Sequence, residues 1–326
     1  MDWMHNFLVH GVVNAEMQIF LQRCKEQVGV FYEDLQMFIC SDWRWPSGQS
    51  THKATDVFTR AREKSSTDHV KTSASELLMV FPLVREFALT LVRPTGKLAL
   101  EVNSMVSLCK VLDCMLAAKR GQGADALRAV QAFLVAHRSA YGDEFLKPKH
   151  HYCFHNALQL VDRRLVADCF VHERKHQVMK SAASAIKNTS SFEASALGRV
   201  ILEQSRQLRS FGTRRGLVGK TADGPSVAAA LGLEAVKLSK KARDEHIELT
   251  AGDVIRFAGG AGIVRCCAQA EDRLIVVIES LSLVSEGDSK STWRPEGEMQ
   301  AIDLDRSAWQ PYCWHGHADG CVTMLH

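Results

Sequence analysis

The sequence predicts a mainly α chain with a C-terminal β module, an α+β class. Apolar residues recur near helical spacing through the first 209 residues, whereas β-rich runs punctuated by glycine and acidic pairs take over after residue 246. Charge divides along similar lines. Residues 1–144 carry 16 basic and 16 acidic side chains, residues 145–245 carry 18 and 9, and residues 246–326 carry 6 and 12. The formal charge of +3 over 326 residues therefore hides a neutral, a basic and an acidic block. Hydrophobic residues at 46% and charged residues at 24% exclude a disordered, collagenous or coiled-coil chain. The length suffices for about two domains.

Each element follows from local signals. Phe7, Val12, Ile19 and Leu21 begin an amphipathic stretch ending before Gly29, and Phe31–Ile39 is a second, stopped by the turn Trp43-Arg44-Trp45-Pro46. Residues 47–73 are rich in Ser and Thr and read as a loop with one short helix over Asp56–Lys64. Helices are expected over Ser75–Val92 and Leu98–Lys119, parted by Arg93-Pro94-Thr95-Gly96, and then over Ala124–Ser139, Tyr152–Asp162, Phe170–Lys187 and Phe192–Leu208. The segment 210–245 reads as a basic linker followed by one helix, Val227–Ala242. Strands are expected over Val254–Phe257, Ile263–Ala268, Leu274–Leu283, Ala301–Leu304 and Cys321–Leu325. The organisation expected is a helical body over 1–209, the linker and helix over 210–245, and a small β-barrel-like module over 246–326.

The N-terminus lacks the cationic start and apolar core of a signal peptide, and the most apolar stretch, Leu77–Val92, is broken by Pro82, Arg85 and Glu86. A soluble nuclear or cytoplasmic chain is expected, neither secreted nor membrane-bound. Ten cysteines include no C-x-x-C pair, and Cys24, Cys40, Cys109, Cys114 and Cys169 read as reduced, buried small hydrophobes.

Three strings could carry chemistry. His172-Glu173-Arg174-Lys175-His176 is a literal H-E-x-x-H, which on a helix could grip one zinc with Glu173 as base and Glu193 or Glu203 as third ligand. The cationic Arg174 and Lys175 favour a solvated surface helix instead. Cys313, His315, His317 and Cys321 could complete a tetrahedral zinc site, against the alternative of a turn between strands with Trp314 packed. In Lys147-Pro148-Lys149-His150-His151-Tyr152-Cys153-Phe154-His155, Pro148 suits a helix start, His151 and His155 share a face, and Lys147 and Lys149 suit phosphate contacts, although spacing alone favours a plain helix start with half-buried histidines. Gly259-Gly260-Ala261-Gly262 runs from strand to strand and is expected to be a hairpin, not a phosphate loop. No G-x-S-x-G elbow or Walker sequence occurs.

Taken in order, several segments resemble CACTA-like cut-and-paste transposases of the DDE class. Asp2-Trp3-Met4-His5 with Gly11-Val12-Val13 resembles their D-x-M-H…G-V signature. The Lys147–His155 segment is similar to K-x-H-H-x-x-x-H, and Phe170–Lys180 is similar to F-E-x-K-H-x-x-x-K. Leu249–Ile255 resembles the opening of a β module that often follows. The resemblance implies a ribonuclease-H-type core in which three carboxylates hold two divalent metals such as Mg²⁺. Within it Asp2 and His5 belong to the D-x-x-H element and Glu173 matches the third acid. The first two acids are expected upstream of Asp2, so a truncated or domesticated protein without nuclease activity is expected, vestigial at these positions.

The partner so implied is DNA, contacted through Lys147, Lys149, His150, His151, Arg174, Lys175, Lys180, Arg214 and Arg215, with Arg163, Arg164, Lys187, Arg206 and Arg209 adding positive surface. Two rival readings are a zinc-dependent hydrolase using His172, Glu173 and His176, and a non-enzymatic adaptor whose acidic β module docks a protein partner.

Overall fold

A computed structural model of the chain describes residues 2–41, 43–47, 54–65, 68–119, 125–164, 169, 179–181, 183–184, 186, 191–209, 215–244, 247–271, 273–287, 289–304 and 309–326. Two compact units emerge: Met1–Ser41 with Thr51–Glu173, and Asp42–Ser50 with Arg174–His326. The class is α+β, a helical body followed by an antiparallel β module.

The first unit is helical. A π-helical turn, Met4–Leu8, leads into α1, Val12–Arg23, which continues as a second π turn, Cys24–Val28, closed by Gly29 at φ 78°. Between turn and helix stands Gly11, where any Cβ would overlap the main-chain carbonyl of Phe7. Helix α1 is buried nearly all round. Val13, Met17 and Phe20 are fully covered, and so are its polar residues Asn14 and Glu16. A helix covered on every side must satisfy such polar groups internally. Asn14 Nδ2 accordingly donates to the Val70 carbonyl at 2.9 Å and to Thr72 Oγ1 at 2.7 Å.

Around α1 stand α2 (Tyr32–Ser41), α3 (Arg60–Ser65), α4 (Ala74–Phe87), α5 (Ala99–Lys119), α6 (Ala126–Tyr141) and α7 (Pro148–Arg163). Helix α4 opens on a reciprocal cap. The Glu76 N–H donates to Ser73 Oγ at 3.3 Å, and the Ser73 N–H donates to Glu76 Oε2 at 2.7 Å. The last turn of the stretch expected as one helix to Val92 is a π turn, Ala88–Val92. Helix α5 packs against α1 and α6, and α6 against α7. The cysteine expectation is corrected in part: Cys24 and Cys109 are buried, whereas Cys40 is exposed and Cys114 and Cys169 are half-buried.

The second unit holds α8 (Phe192–Arg209) and the sheets. The strands are β1 (Trp43–Arg44), β2 (Gly216–Leu217), β3 (Ala222–Asp223), β4 (Lys237–Ser239), β5 (Lys241–Asp244), β6 (Ile247–Thr250) and β7 (Val254–Phe257). They continue with β8 (Gly260–Ala270), β9 (Arg273–Glu286), β10 (Lys290–Asp303), β11 (Trp309–Tyr312), β12 (Trp314–Gly316) and β13 (Val322–Leu325). The main sheet runs β1-β12-β13-β10-β9-β8-β4-β3, with β7 pairing β8 and β11 pairing β7, and β2-β5-β6 form a second. Every pairing is antiparallel. In place of a barrel-like closure the path is open, and its end strands β1 and β3 do not pair among the described residues.

Two expectations about 210–245 are corrected. The helix expected over Val227–Ala242 is short, α9, Pro225–Leu231, and stops at Gly232 with φ 66°. Beyond it Val236 and Ala242 are buried in apolar clusters of the sheets, so the chain goes on as strands β4 and β5 rather than as helix, and the linker expected before it carries the short strands β2 and β3. The turn expected at Trp43-Arg44 is strand β1, held by β12 through the pairs Trp43–His315 and Arg44–Trp314. The glycine-rich segment 259–262 is the expected hairpin, joining β7 to β8.

No helix among the described residues is long and apolar enough to cross a membrane.

Candidate nucleic-acid interface

Asp2 stands at the entrance to the first π turn and gathers donors from two directions. Its Oδ1 accepts from the Met4 N–H at 3.1 Å and from the Cys169 N–H at 3.1 Å. Its Oδ2 accepts from the His5 N–H at 3.2 Å and closely meets His5 Nδ1. Burial pushes this carboxyl up, but the hydrogen bonds from His5, Met4 and Cys169 outweigh it and hold the group below the usual carboxylate range. Asp2 is therefore an anion at neutral pH. The ligating atoms of Asp2, His5 and Cys169 all lie within 4.8 Å of one another.

The same turn is tied to α7. Lys149 Nζ donates to the carbonyls of His5 at 2.8 Å, His10 at 2.9 Å and Val9 at 3.0 Å. The side-chain amides of Asn6 and Asn156 meet at 2.9 Å, with Cys153 Sγ 3.5 Å from the Asn6 amide. Helix α7 begins at Pro148, whose missing N–H costs nothing there, and Lys147 precedes it in extended conformation.

Two of the residues expected to contact DNA are engaged within the fold. Lys149 spends all three ammonium hydrogens on main-chain carbonyls and has none left for phosphate. His150 points inward and is 3% exposed. Lys147, His151, His155, Arg163 and Arg164 are exposed, and so are Lys180 and Arg215. On α7 His151 and His155 stand one turn apart on a shared face, whereas Lys147 immediately precedes the helix and Arg163 ends it, well round the axis from the histidines. The Nε2 atoms of His151 and His155 are 2.8 Å apart. Arg215 pairs with Asp244 at 3.1 Å. His172, Glu173, Arg174, Lys175, His176 and Arg214 lie outside the described residues.

The string 313–321 comprises strand β12 and the turn that joins it to β13. Trp314 is buried in an apolar cluster with Trp293 and Met324, and the Arg44 guanidinium lies 4.8 Å from its ring centroid. His317 Nε2 meets Thr323 Oγ1 at 2.8 Å, and the His315 ring packs against Trp43. Burial pushes the Cys313 thiol up to about 12, which disfavours the thiolate a metal would need.

Sequence reasoning missed a second gathering of ligand atoms, Glu16 with His137 and His150. Glu16 carries one local signal, being the lone acid within the apolar run Val12–Leu21. Nothing in the sequence pairs it with a histidine 121 residues later.

The chain matches no protein-family model, and no curated protein or solved structure shows significant similarity to it.

Proposed function

We propose that this chain binds DNA through a helical body akin to that of CACTA-like DDE-class transposases. The observation that carries the reading is the meeting at one turn of two segments named by the resemblance, joined by the residue that precedes the third. Asp2 and His5 supply the D-x-M-H element, Lys149 ties the K-x-H-H helix to it, and Cys169, four residues before Glu173, donates its N–H to Asp2. Segments so far apart in sequence have no local reason to converge.

The donor set bears on metal chemistry. Mg²⁺ prefers oxygen ligands, and the ionised Asp2 offers them, while His5 and Cys169 suit softer ions. A two-metal phosphodiester centre would need three carboxylates, and of these the resemblance finds only Glu173 in this sequence. If Mg²⁺ is bound here, it would polarise a phosphate oxygen. The part of this chain's own residues is to keep Asp2 charged and fixed.

DNA contact is assigned to the exposed Lys147, His151 and His155 at the start of α7 and to the exposed Arg163 at its end. Lys147 and Arg163 supply charge, and the two histidines add donors that need no charge to reach phosphate oxygens. The test is fluorescence anisotropy of a labelled duplex with the full chain and with the double variant Lys147→Glu, Arg163→Glu. Affinity at low salt is expected to fall by about tenfold or more, two phosphate contacts having been replaced by repulsion. Unchanged affinity would contradict the assignment.

A further inference from the structure

Two histidines from distant parts of the first unit meet near the start of α1. His10 stands in the junction between the first π turn and α1, and His69 lies in the segment before α4, 59 residues on. His10 Nδ1 and His69 Nε2 are 3.0 Å apart, and the rings meet edge to face with centroids 4.5 Å apart. On the far side of its ring, His69 Nδ1 meets Asp68 Oδ1 at 2.7 Å. His10 is exposed and His69 half-buried, so the pair is reachable from solvent.

Both rings are carried on anchored backbone. Lys149 Nζ donates to the His10 carbonyl at 2.9 Å. Next to His69, the Val70 N–H donates to the Asn14 carbonyl at 3.2 Å, and the Val70 carbonyl accepts from Asn14 Nδ2 at 2.9 Å. His10 also keeps a left-handed φ of 47°, which a residue with a side chain holds only where its surroundings impose it. The two imidazoles are therefore positioned before any ligand arrives.

The tautomers follow from the partners. A carboxylate at Nδ1 keeps the His69 proton there, which leaves a lone pair at His69 Nε2. As the structure stands, the His10 Nδ1–H donates to that lone pair. The exposed His10 ring can carry its one proton on Nε2 instead, and both facing nitrogens then present lone pairs. Asp68 is not a ligand in this arrangement. It is a positioning residue.

We propose that His10 and His69 form a two-imidazole site for one divalent copper ion, with Asp68 orienting His69. Bonds of about 2.0–2.1 Å set two nitrogens about 2.9 Å apart at a right angle and about 3.3 Å apart at a tetrahedral angle. The 3.0 Å separation fits the right angle, the square or tetragonal geometry of divalent copper and nickel. Of these two, copper binds nitrogen ligands more tightly. His151 and His155 on α7 come as close, at 2.8 Å, but no carboxylate among the described residues orients either ring. A bound ion would tie the junction before α1 to the segment before α4, with water completing its coordination.

The full chain is titrated with Cu²⁺ in buffer containing free glycine, which holds loosely bound copper. One ion per chain is expected, with electron paramagnetic resonance showing a tetragonal centre bound by two imidazole nitrogens. His69→Ala and His10→Asn are each expected to abolish it, asparagine being chosen because it tolerates left-handed backbone. Asp68→Asn is expected to keep the stoichiometry and weaken affinity by about tenfold or more. The double variant His151→Ala, His155→Ala is expected to bind copper as wild type does. Should the first variants fail to fold, diethylpyrocarbonate labelling of wild type decides: copper is expected to protect His10 and His69 and to leave His151 and His155 reactive. Copper held no better than by glycine overturns the proposal, and so does full retention by His69→Ala. Loss in the His151→Ala, His155→Ala variant, or protection of that pair alone, would place the ion on α7 and overturn it too. Wild-type affinity in Asp68→Asn would remove Asp68 from the site.

Discussion

The main-chain N–H of Cys169 donates to Oδ1 of Asp2 across 3.1 Å, joining residues 167 positions apart. That bond closes the helical body on itself. It also brings the start of the chain beside the segment that leads to Glu173, the acid singled out by the transposase resemblance. The turn carrying Asp2 is braced from a second side by Lys149, so the carboxylate is held by contacts from two distant segments.

Lys149 is accordingly expected to be structural. Lys149→Met removes three charge-assisted hydrogen bonds to the carbonyls of His5, Val9 and His10. The loss expected is about 2 kcal/mol of unfolding free energy, measured by urea denaturation. DNA affinity of the folded variant should stay within about twofold of wild type. A loss as large as that of the Lys147→Glu, Arg163→Glu variant would return Lys149 to the contact surface.

Gly11 is expected to tolerate no side chain. A Cβ there meets the Phe7 carbonyl and the Asn6 carbonyl oxygen, main-chain atoms that cannot rotate away. Gly11→Ala should cost about 3 kcal/mol, comparable with severe overpacking of a core, and should lower the thermal midpoint. Stability equal to wild type would mean that the junction between the π turn and α1 differs from the one described.

The capping box of α4 gives a dependence on pH. Burial pushes the Glu76 carboxyl up, but hydrogen bonds from Arg62 and Ser73 and the Arg62 charge outweigh it and lower the group from its usual 4.5. A carboxyl lowered on folding adds stability above its unfolded value, and that stability is lost as pH falls through the folded one. Glu76→Ala should therefore cost about 1 kcal/mol at pH 7 and progressively less as the medium falls below pH 4.5. Urea midpoints for both chains across that range would check it. A gap that stays constant to strong acid contradicts the pairing.

The helical body is legible because its signals are local. Ser73 and Glu76 mark the start of α4, Pro148 the start of α7, and apolar spacing does the rest. The β module is less so. Strand β10 spans Lys290–Asp303 but was expected only from Ala301, because Glu296, Glu298 and Pro295 suppress any strand signal there. Those residues sit where the register with β9 shifts between Pro295 and Met299, so the long strand survives through a bulge. Ala228–Ala230 promise a long helix, yet Gly232 ends it and the burial of Val236 and Ala242 draws the chain into sheets. Trp43–Arg44 is a strand only because β12, some 270 residues later, pairs with it. The candidate site divides in the same way. Asp2, His5 and Lys147 stand in motifs that can be read directly, whereas the inward turn of His150 and its meeting with Glu16 and His137 depend on helix packing.

DNA binding is tested most directly by the salt dependence of duplex affinity for the full chain. Each phosphate neutralised contributes about −0.9 to the slope of log affinity against log salt, so contact by Lys147, Arg163 and at least one further cation should give a slope of about −3 or steeper. A slope indistinguishable from zero, or no measurable binding at low salt, would contradict the reading of this chain as a DNA-binding protein.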